Sequence, residues 1–153
     1  MKTLTSKAAL VLGILLIGIL PSSAKDLVNV IWSGVAIKGY DPVAYFTDGK
    51  PVKGDAKFQS TYQGAIYDFA SAEHKAVFDQ NPAKYAPQFG GFCAYAVSKN
   101  STASISPEAF QIVDGRLLLQ YDLGIREKFN QDTAGNLKKA DANWSGLVEA
   151  KGK

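Results

Sequence analysis

The sequence predicts an α+β fold in which small antiparallel β-hairpins pack with short helices. Two tight-turn signals carry this prediction, because Gln63-Gly64 and Asp114-Gly115 each separate two strand-like runs and such pairs suit a two-residue hairpin turn. A helical segment, Ala72–Gln80, follows the first hairpin. The length of 153 residues and the hydrophobic and charged fractions of 46% and 20% are typical of one globular domain.

The first hairpin and its helix are predicted from local patterns. Phe58–Tyr62 and Ile66–Phe69 alternate in character along each strand. Ser71 is a suitable N-cap for the helix Ala72–Gln80, because its hydroxyl can accept an N–H group of the first turn. Asn81-Pro82 ends that helix, since the residue before a proline disfavours helical geometry.

Three further segments have patterns that predict a strand or a helical turn. A second hairpin and two helices are predicted after them. Residues 25–39 read as an extended lead-in strand, and Val43–Phe46 reads as either a helical turn or a short strand. Phe92–Val97 alternates like a strand, which would place Cys93 on one face with Tyr95 and Val97. The sequence shows no internal repeat. The remaining predicted elements are a second hairpin, Phe110–Val113 with Leu117–Tyr121, and two helices, Asp122–Gln131 and Thr133–Leu147.

Residues 1–24 are predicted to be a secretory signal peptide that is cleaved after Ala24. Two lysines precede an unbroken small and apolar run from Ala8 to Leu20, and small residues flank the expected cleavage site. The run is shorter than the roughly 20 residues that a membrane span needs. We therefore expect a secreted or periplasmic protein with no stable membrane insertion after signal removal.

Charge and single-copy residues exclude several function classes. Loss of the signal removes two of 17 basic residues and lowers the formal net charge from +3 to +1. With no basic run longer than Lys138-Lys139, nucleic-acid binding has no electrostatic basis. One Cys excludes an internal disulfide and multi-cysteine metal sites, and one His excludes a His-Glu-x-x-His zinc site.

Three short segments between Gly39 and Tyr85 form a distinctive pattern, namely Gly39-Tyr40-Asp41-Pro42-Val43-Ala44-Tyr45-Phe46, Tyr62-x-Gly64-x-x-Tyr67-x-Phe69-x-Ser71-x-x-His74 and Phe78-x-x-Asn81-Pro82-x-Lys84-Tyr85. With this pattern, the stretch resembles the YHS-domain family. The resemblance implies a YHS-like single domain over residues 39–98, preceded by an extended lead-in at 25–38. It also implies a C-terminal extension, residues 99–153, packed on the same core, as in a secreted bacterial subgroup with the run Pro87–Ala94.

The resemblance implies a transition metal, copper or zinc, as the ligand. Metal-binding members carry two cysteine pairs, whose positions fall here on Asp41, Ala44, Ala70 and His74. The two alanines cannot bind metal, so the thiolate site of the family is not intact. We expect His74 and Cys93 to hold the ion with Asp41 nearby, because mixed nitrogen, sulfur and oxygen donors suit copper or zinc.

Two other functions stay open on the sequence. The protein could be a structural or partner-binding module without metal, in which His74 and Cys93 are core residues and Asp41 caps a turn or helix. It could also be a Cys-dependent enzyme, with Cys93 as nucleophile and His74 as base. No recognised catalytic motif surrounds Cys93, so the enzyme is the less favoured of the two.

Overall fold

The computed structural model describes residues 25–153, and the predicted signal peptide lies outside this part. The described chain is mixed α+β with two separate two-stranded antiparallel sheets, which confirms the predicted fold class. Two 3₁₀ turns, Ile37–Gly39 and Phe89–Gly91, precede the first and fourth helices. The elements are α1 (Ala44–Thr47), β1 (Asp55–Tyr62), β2 (Ala65–Phe69), α2 (Ala72–Gln80), α3 (Pro82–Tyr85), α4 (Ala94–Ser98), β3 (Ser106–Val113), β4 (Arg116–Gln120), α5 (Leu123–Asn130) and α6 (Thr133–Lys151).

Both predicted hairpins and the predicted helix α2 are confirmed. The turn residues Gln63-Gly64 and Asp114-Gly115 all have φ between 48° and 74°, the left-handed geometry of a tight hairpin turn. The Ser71 hydroxyl accepts the backbone N–H of His74 at 3.1 Å, as an N-cap should. The ambiguous segment at Val43–Phe46 is a helical turn, α1.

Two local predictions were wrong. Phe92–Val97 is not a strand, because Ala94–Ser98 forms α4, which packs against α6 and buries Ala94 and Val97. Periodicity over six residues cannot separate a buried strand from a buried helical turn. The lead-in is not a strand either, and it makes isolated bridges, Val30 with Ala36 and Val35 with Ile66.

The described chain contains a structural repeat that the sequence did not show. A 3₁₀ turn, a short helix, a hairpin and a capped helix occur twice, and the first and last residues of corresponding elements are 50 to 52 positions apart. The strands are eight and five residues long in both copies. Each hairpin has its register shift at the same place, between Asp55 and Gln59 and between Ser106 and Phe110. We call residues 36–80 the first unit and residues 88–130 the second unit.

The backbone of the two 3₁₀ turns shows the correspondence in detail. The φ angles are 51°, 52° and 79° for Ile37–Gly39, and 54°, 57° and 75° for Phe89–Gly91. Two residues further on, the N–H of Asp41 donates to a carbonyl at 2.9 Å and that of Cys93 does so at 3.0 Å. Asp41 and Cys93 therefore occupy equivalent places in the two units.

The units share a core made largely of aromatic and aliphatic side chains. One cluster joins the first unit to the second hairpin, and Tyr45 contacts Phe110 there with ring centroids 4.7 Å apart. A second cluster lies between α4, α5 and α6 and includes Phe129 and Leu147. None of the helices within residues 25–153 combines the length and apolar character needed to cross a membrane.

Candidate functional site

Asp41 is the centre of a buried polar site in the first unit. Its side chain is fully buried, and it follows the 3₁₀ turn that directs the chain into the core. Oδ1 accepts the N–H of Val43 at 2.8 Å and that of Ala44 at 3.3 Å. Oδ2 accepts the N–H of Ala70 at 2.8 Å and the ring Nδ1 of His74 at 2.6 Å. One carboxylate thus joins the start of α1 to the start of α2.

His74 is positioned by the N-terminus of α2. Its backbone N–H is held by Ser71, and its ring reaches back 33 residues along the sequence to Asp41. Since every other partner of Asp41 is an N–H donor, the short contact assigns the ring proton to Nδ1. The other nitrogen, Nε2, then carries a lone pair, and 20% of the side chain is exposed.

Thr47 lies beside the exposed edge of this imidazole. Its Oγ1 is 3.4 Å from Nε2 of His74. The same hydroxyl has better acceptors, at 3.2 Å on the carbonyl of Val43 and at 2.7 Å on the carboxylate of Asp48. Nε2 therefore stays available to accept a proton or to bind an ion.

Cys93 lies in the second unit, with different neighbours. Its thiol is buried and donates to Oε1 of Gln120 at 3.3 Å. The same oxygen accepts the N–H of Tyr95 at 3.0 Å. The amide nitrogen of Gln120, Nε2, is buried and has no hydrogen-bond partner.

The structure brings Asp41 and His74 into contact and gives Cys93 other partners. Within residues 25–153, no three His, Cys, Asp or Glu side chains are grouped so that they could share a metal ion. Cys93 takes in the second unit the place that Asp41 takes in the first. The residue of the second unit that corresponds to His74, the third residue of α5, is Ile125.

The four positions at which the family resemblance implies thiolate ligands offer one free donor here. Ala44 and Ala70 contribute only backbone N–H groups, and both of these bind Asp41. The carboxylate itself accepts four hydrogen bonds, so its lone pairs are engaged. A closed metal site does not fit these residues, whereas a single imidazole ligand, His74 Nε2, does.

The fold and site define a small α+β domain in which a buried acidic residue ties a loop to a capped helix. Residues 43–89 match the family model of the YHS domain. YHS domains are associated with metal handling, copper in particular. The match covers most of the first unit and ends where the second begins. No curated protein and no solved structure matches the chain significantly.

Sequence reasoning identified Asp41, His74 and Cys93 but missed Gln120 and Thr47. Asp41 and His74 could be found because the family resemblance places both at ligand positions. Gln120 lies at the end of an apolar strand, where a buried polar side chain is the only signal, and its partner Cys93 is 27 residues away. Thr47 belongs to no sequence pattern that would indicate a site residue.

Proposed function

We propose that this protein is a metal-handling YHS protein whose metal-accepting group is the imidazole of His74, oriented by Asp41. The supporting observation is the 2.6 Å contact between Nδ1 and the buried carboxylate. A carboxylate that fixes one ring nitrogen orients the other toward a metal. Copper and zinc are the ions for which a neutral imidazole is a suitable ligand.

The described chain would contribute one ligand, and this limits the kind of metal handling. A structural zinc site needs four protein ligands, so the proposal is an open site where water or a partner protein completes the coordination. Such a site favours exchange of the ion over storage. The proposed location, the periplasm or the exterior, rests on the sequence of residues 1–24.

Cys93 is not a ligand in this proposal. Its thiol donates to Gln120, and His74 bonds to Asp41. The same two contacts argue against the hypothesis of a Cys-dependent enzyme, because a nucleophile and its base should lie within hydrogen-bond reach of each other. His74 and Cys93 would therefore act independently.

A second candidate is a structural or partner-binding module without metal, and the same carboxylate supports it. Asp41 joins two segments through four N–H donors, two from the start of α1 and two from Ala70 and His74. Thiolate–metal bonds connect these segments in metal-binding relatives. Hydrogen bonds to one buried carboxylate could replace that cross-link and leave the surface free for a partner.

Titration of the purified protein with Zn²⁺ or Cu²⁺ separates the candidates. The chain has one His, so its ring gives one set of NMR signals. The metal proposal predicts that substoichiometric Cu²⁺ broadens these signals and that Zn²⁺ shifts the Nε2 resonance. His74→Ala should abolish binding measured by calorimetry, and Cys93→Ser should leave the affinity unchanged.

The controls make the experiment decisive. Asp41→Asn should weaken binding by about 10- to 100-fold, the usual effect of losing such an orienting partner. Circular dichroism of each variant checks that it is folded. Unchanged calorimetric binding in His74→Ala would reject His74 as the metal-accepting group. Unperturbed ring signals in the parent protein would reject the metal proposal in favour of the module. A loss of binding in Cys93→Ser would restore the ligand set expected from the sequence.

A further inference from the structure

We propose that Cys93 is a site of oxidation to sulfenic acid, with the side-chain amide of Gln120 as the donor to the added oxygen. Two observations carry the proposal. Gln120 is fully buried, and its Nε2 has no hydrogen-bond partner. The other end of the same amide, Oε1, accepts the thiol of Cys93 at 3.3 Å. An unpartnered donor therefore lies on the side chain that contacts the thiol.

The orientation of the Gln120 amide is set by its neighbours. The backbone N–H of Tyr95 points at the amide at 3.0 Å, so the atom there must be the oxygen. The thiol is a second donor to the same oxygen. Nε2 is consequently left without an acceptor, and such a buried group costs about 1–3 kcal/mol.

The repeat explains why an acceptor is missing at this place. In the first unit the equivalent residue, Asp41, is a carboxylate that accepts N–H groups from the start of α1 and from the residue after β2. In the second unit Cys93 has a proton to donate and no oxygen. Gln120 ends β4, and its amide supplies the acceptor for Tyr95 but leaves its own donor unmatched.

Addition of one oxygen atom to the sulfur would supply the missing hydrogen-bond acceptor. A hydroperoxide supplies it: Cys93–SH + ROOH gives Cys93–SOH + ROH, with the sulfur oxidised and the O–O bond reduced. The distal oxygen goes to sulfur, and the thiol proton ends on the leaving alkoxide. The new oxygen can accept from Nε2. The exposed fractions of Cys93 and Gln120, 2% and 0%, favour a one-atom addition over a larger ligand.

The chain itself cannot convert this sulfenic acid to an internal disulfide, because it contains one Cys. Reduction would need two molecules of an external thiol, which leave as a disulfide with release of water. The modified state should therefore persist and be measurable. It does not depend on His74, which bonds to Asp41 in the first unit.

The test treats the purified protein with hydrogen peroxide and measures the mass of Cys93. We expect a gain of one oxygen, which is trapped as a dimedone adduct when the oxidised protein is unfolded in urea with dimedone well after removal of peroxide. Gln120→Leu and Gln120→Glu both remove the Nε2 donor, and Glu keeps an oxygen for Tyr95. The sulfenic acid should decay about tenfold faster in both variants, as loss of one buried hydrogen bond implies.

Asn136→Leu is the matched control, since its buried amide nitrogen already donates to the carbonyl of Phe129 at 3.0 Å. The control loses this buried hydrogen bond, but the sulfenic acid should keep the lifetime of the parent protein. The proposal is overturned if folded Cys93 resists a peroxide dose that oxidises it in urea. It is also overturned if the lifetimes in the parent protein and Gln120→Leu are equal, or if Asn136→Leu shortens the lifetime as much as Gln120→Leu does.

Discussion

Replacement of Asp41 by Asn tests the central contact of the site, because it exchanges one oxygen for an NH₂ group of the same shape. The amide oxygen can still accept the N–H groups of Val43 and Ala44. The amide nitrogen then faces two former donors, the N–H of Ala70 and Nδ1 of His74. If the side chains keep their original arrangement, two hydrogen-bond donors then face each other at both contacts.

The imidazole can relieve one of these two conflicts. If its proton moves from Nδ1 to Nε2, Nδ1 can accept from the new amide. The N–H of Ala70 remains buried without a partner, at a cost of about 1–3 kcal/mol. The charge-assisted bonds of the carboxylate are also lost, and each contributes about 1.5–3 kcal/mol. We expect Asp41→Asn to lower the free energy of unfolding by about 2–4 kcal/mol, a large part of typical domain stability.

Two measurements check the Asp41→Asn prediction. Urea unfolding gives the stability change, and ¹⁵N NMR at a pH where the ring is neutral shows which nitrogen of His74 carries the proton. Asp68→Asn is a matched control, because Asp68 is a buried carboxylate that accepts from Gln59 and not from His74. A proton that stays on Nδ1 of Asp41→Asn, or a stability loss below about 0.5 kcal/mol, would refute the reasoning.

Two further predictions concern backbone geometry and pH. Gly90→Ala should lower the free energy of unfolding in urea by several kcal/mol, because the new Cβ would overlap the carbonyl of Leu27. Gly34 has open space around it and also a positive φ, so Gly34→Ala should cost about 1 kcal/mol. Equal losses in the two variants would contradict this prediction. Burial raises the pKa of the phenols of Tyr45 and Tyr67 above the usual value near 10. Their neutral form therefore stabilises the fold below about pH 10, and this contribution is lost as the pH rises further, because the unfolded chain ionises first. Urea titrations between pH 8 and 11 should show this loss, reduced in Tyr67→Phe; an unchanged slope in that variant would count against it.

Part of the site could be predicted from the sequence. The sequence separation between Asp41 and each of its hydrogen-bond partners explains which part. The carboxylate of Asp41 could be expected to cap its own turn, since Val43 and Ala44 are only two and three residues away. Its bonds to Ala70 and His74 span 29 and 33 residues, so they depend on how the hairpin folds back. The partners of Cys93 and His74 are also set by tertiary structure, because the thiol of Cys93 donates to Gln120 and the ring of His74 bonds to Asp41.

The amino-acid sequence by itself determined the features that depend on a few adjacent residues. Turn dipeptides with positive φ placed both hairpins, and the hydroxyl of Ser71 set the start of α2, because these preferences act over one to four residues. Tertiary structure decided that residues 94–98 form a helix and not a strand, since burial against α6 outweighs the weak strand-like alternation of the sequence. It also decided the repeat, whose two copies agree in backbone angles and hydrogen bonds while their side chains differ. Asp41 and Cys93 show this most clearly: the backbone holds them in equivalent places, and their side-chain chemistry gives each place a different partner.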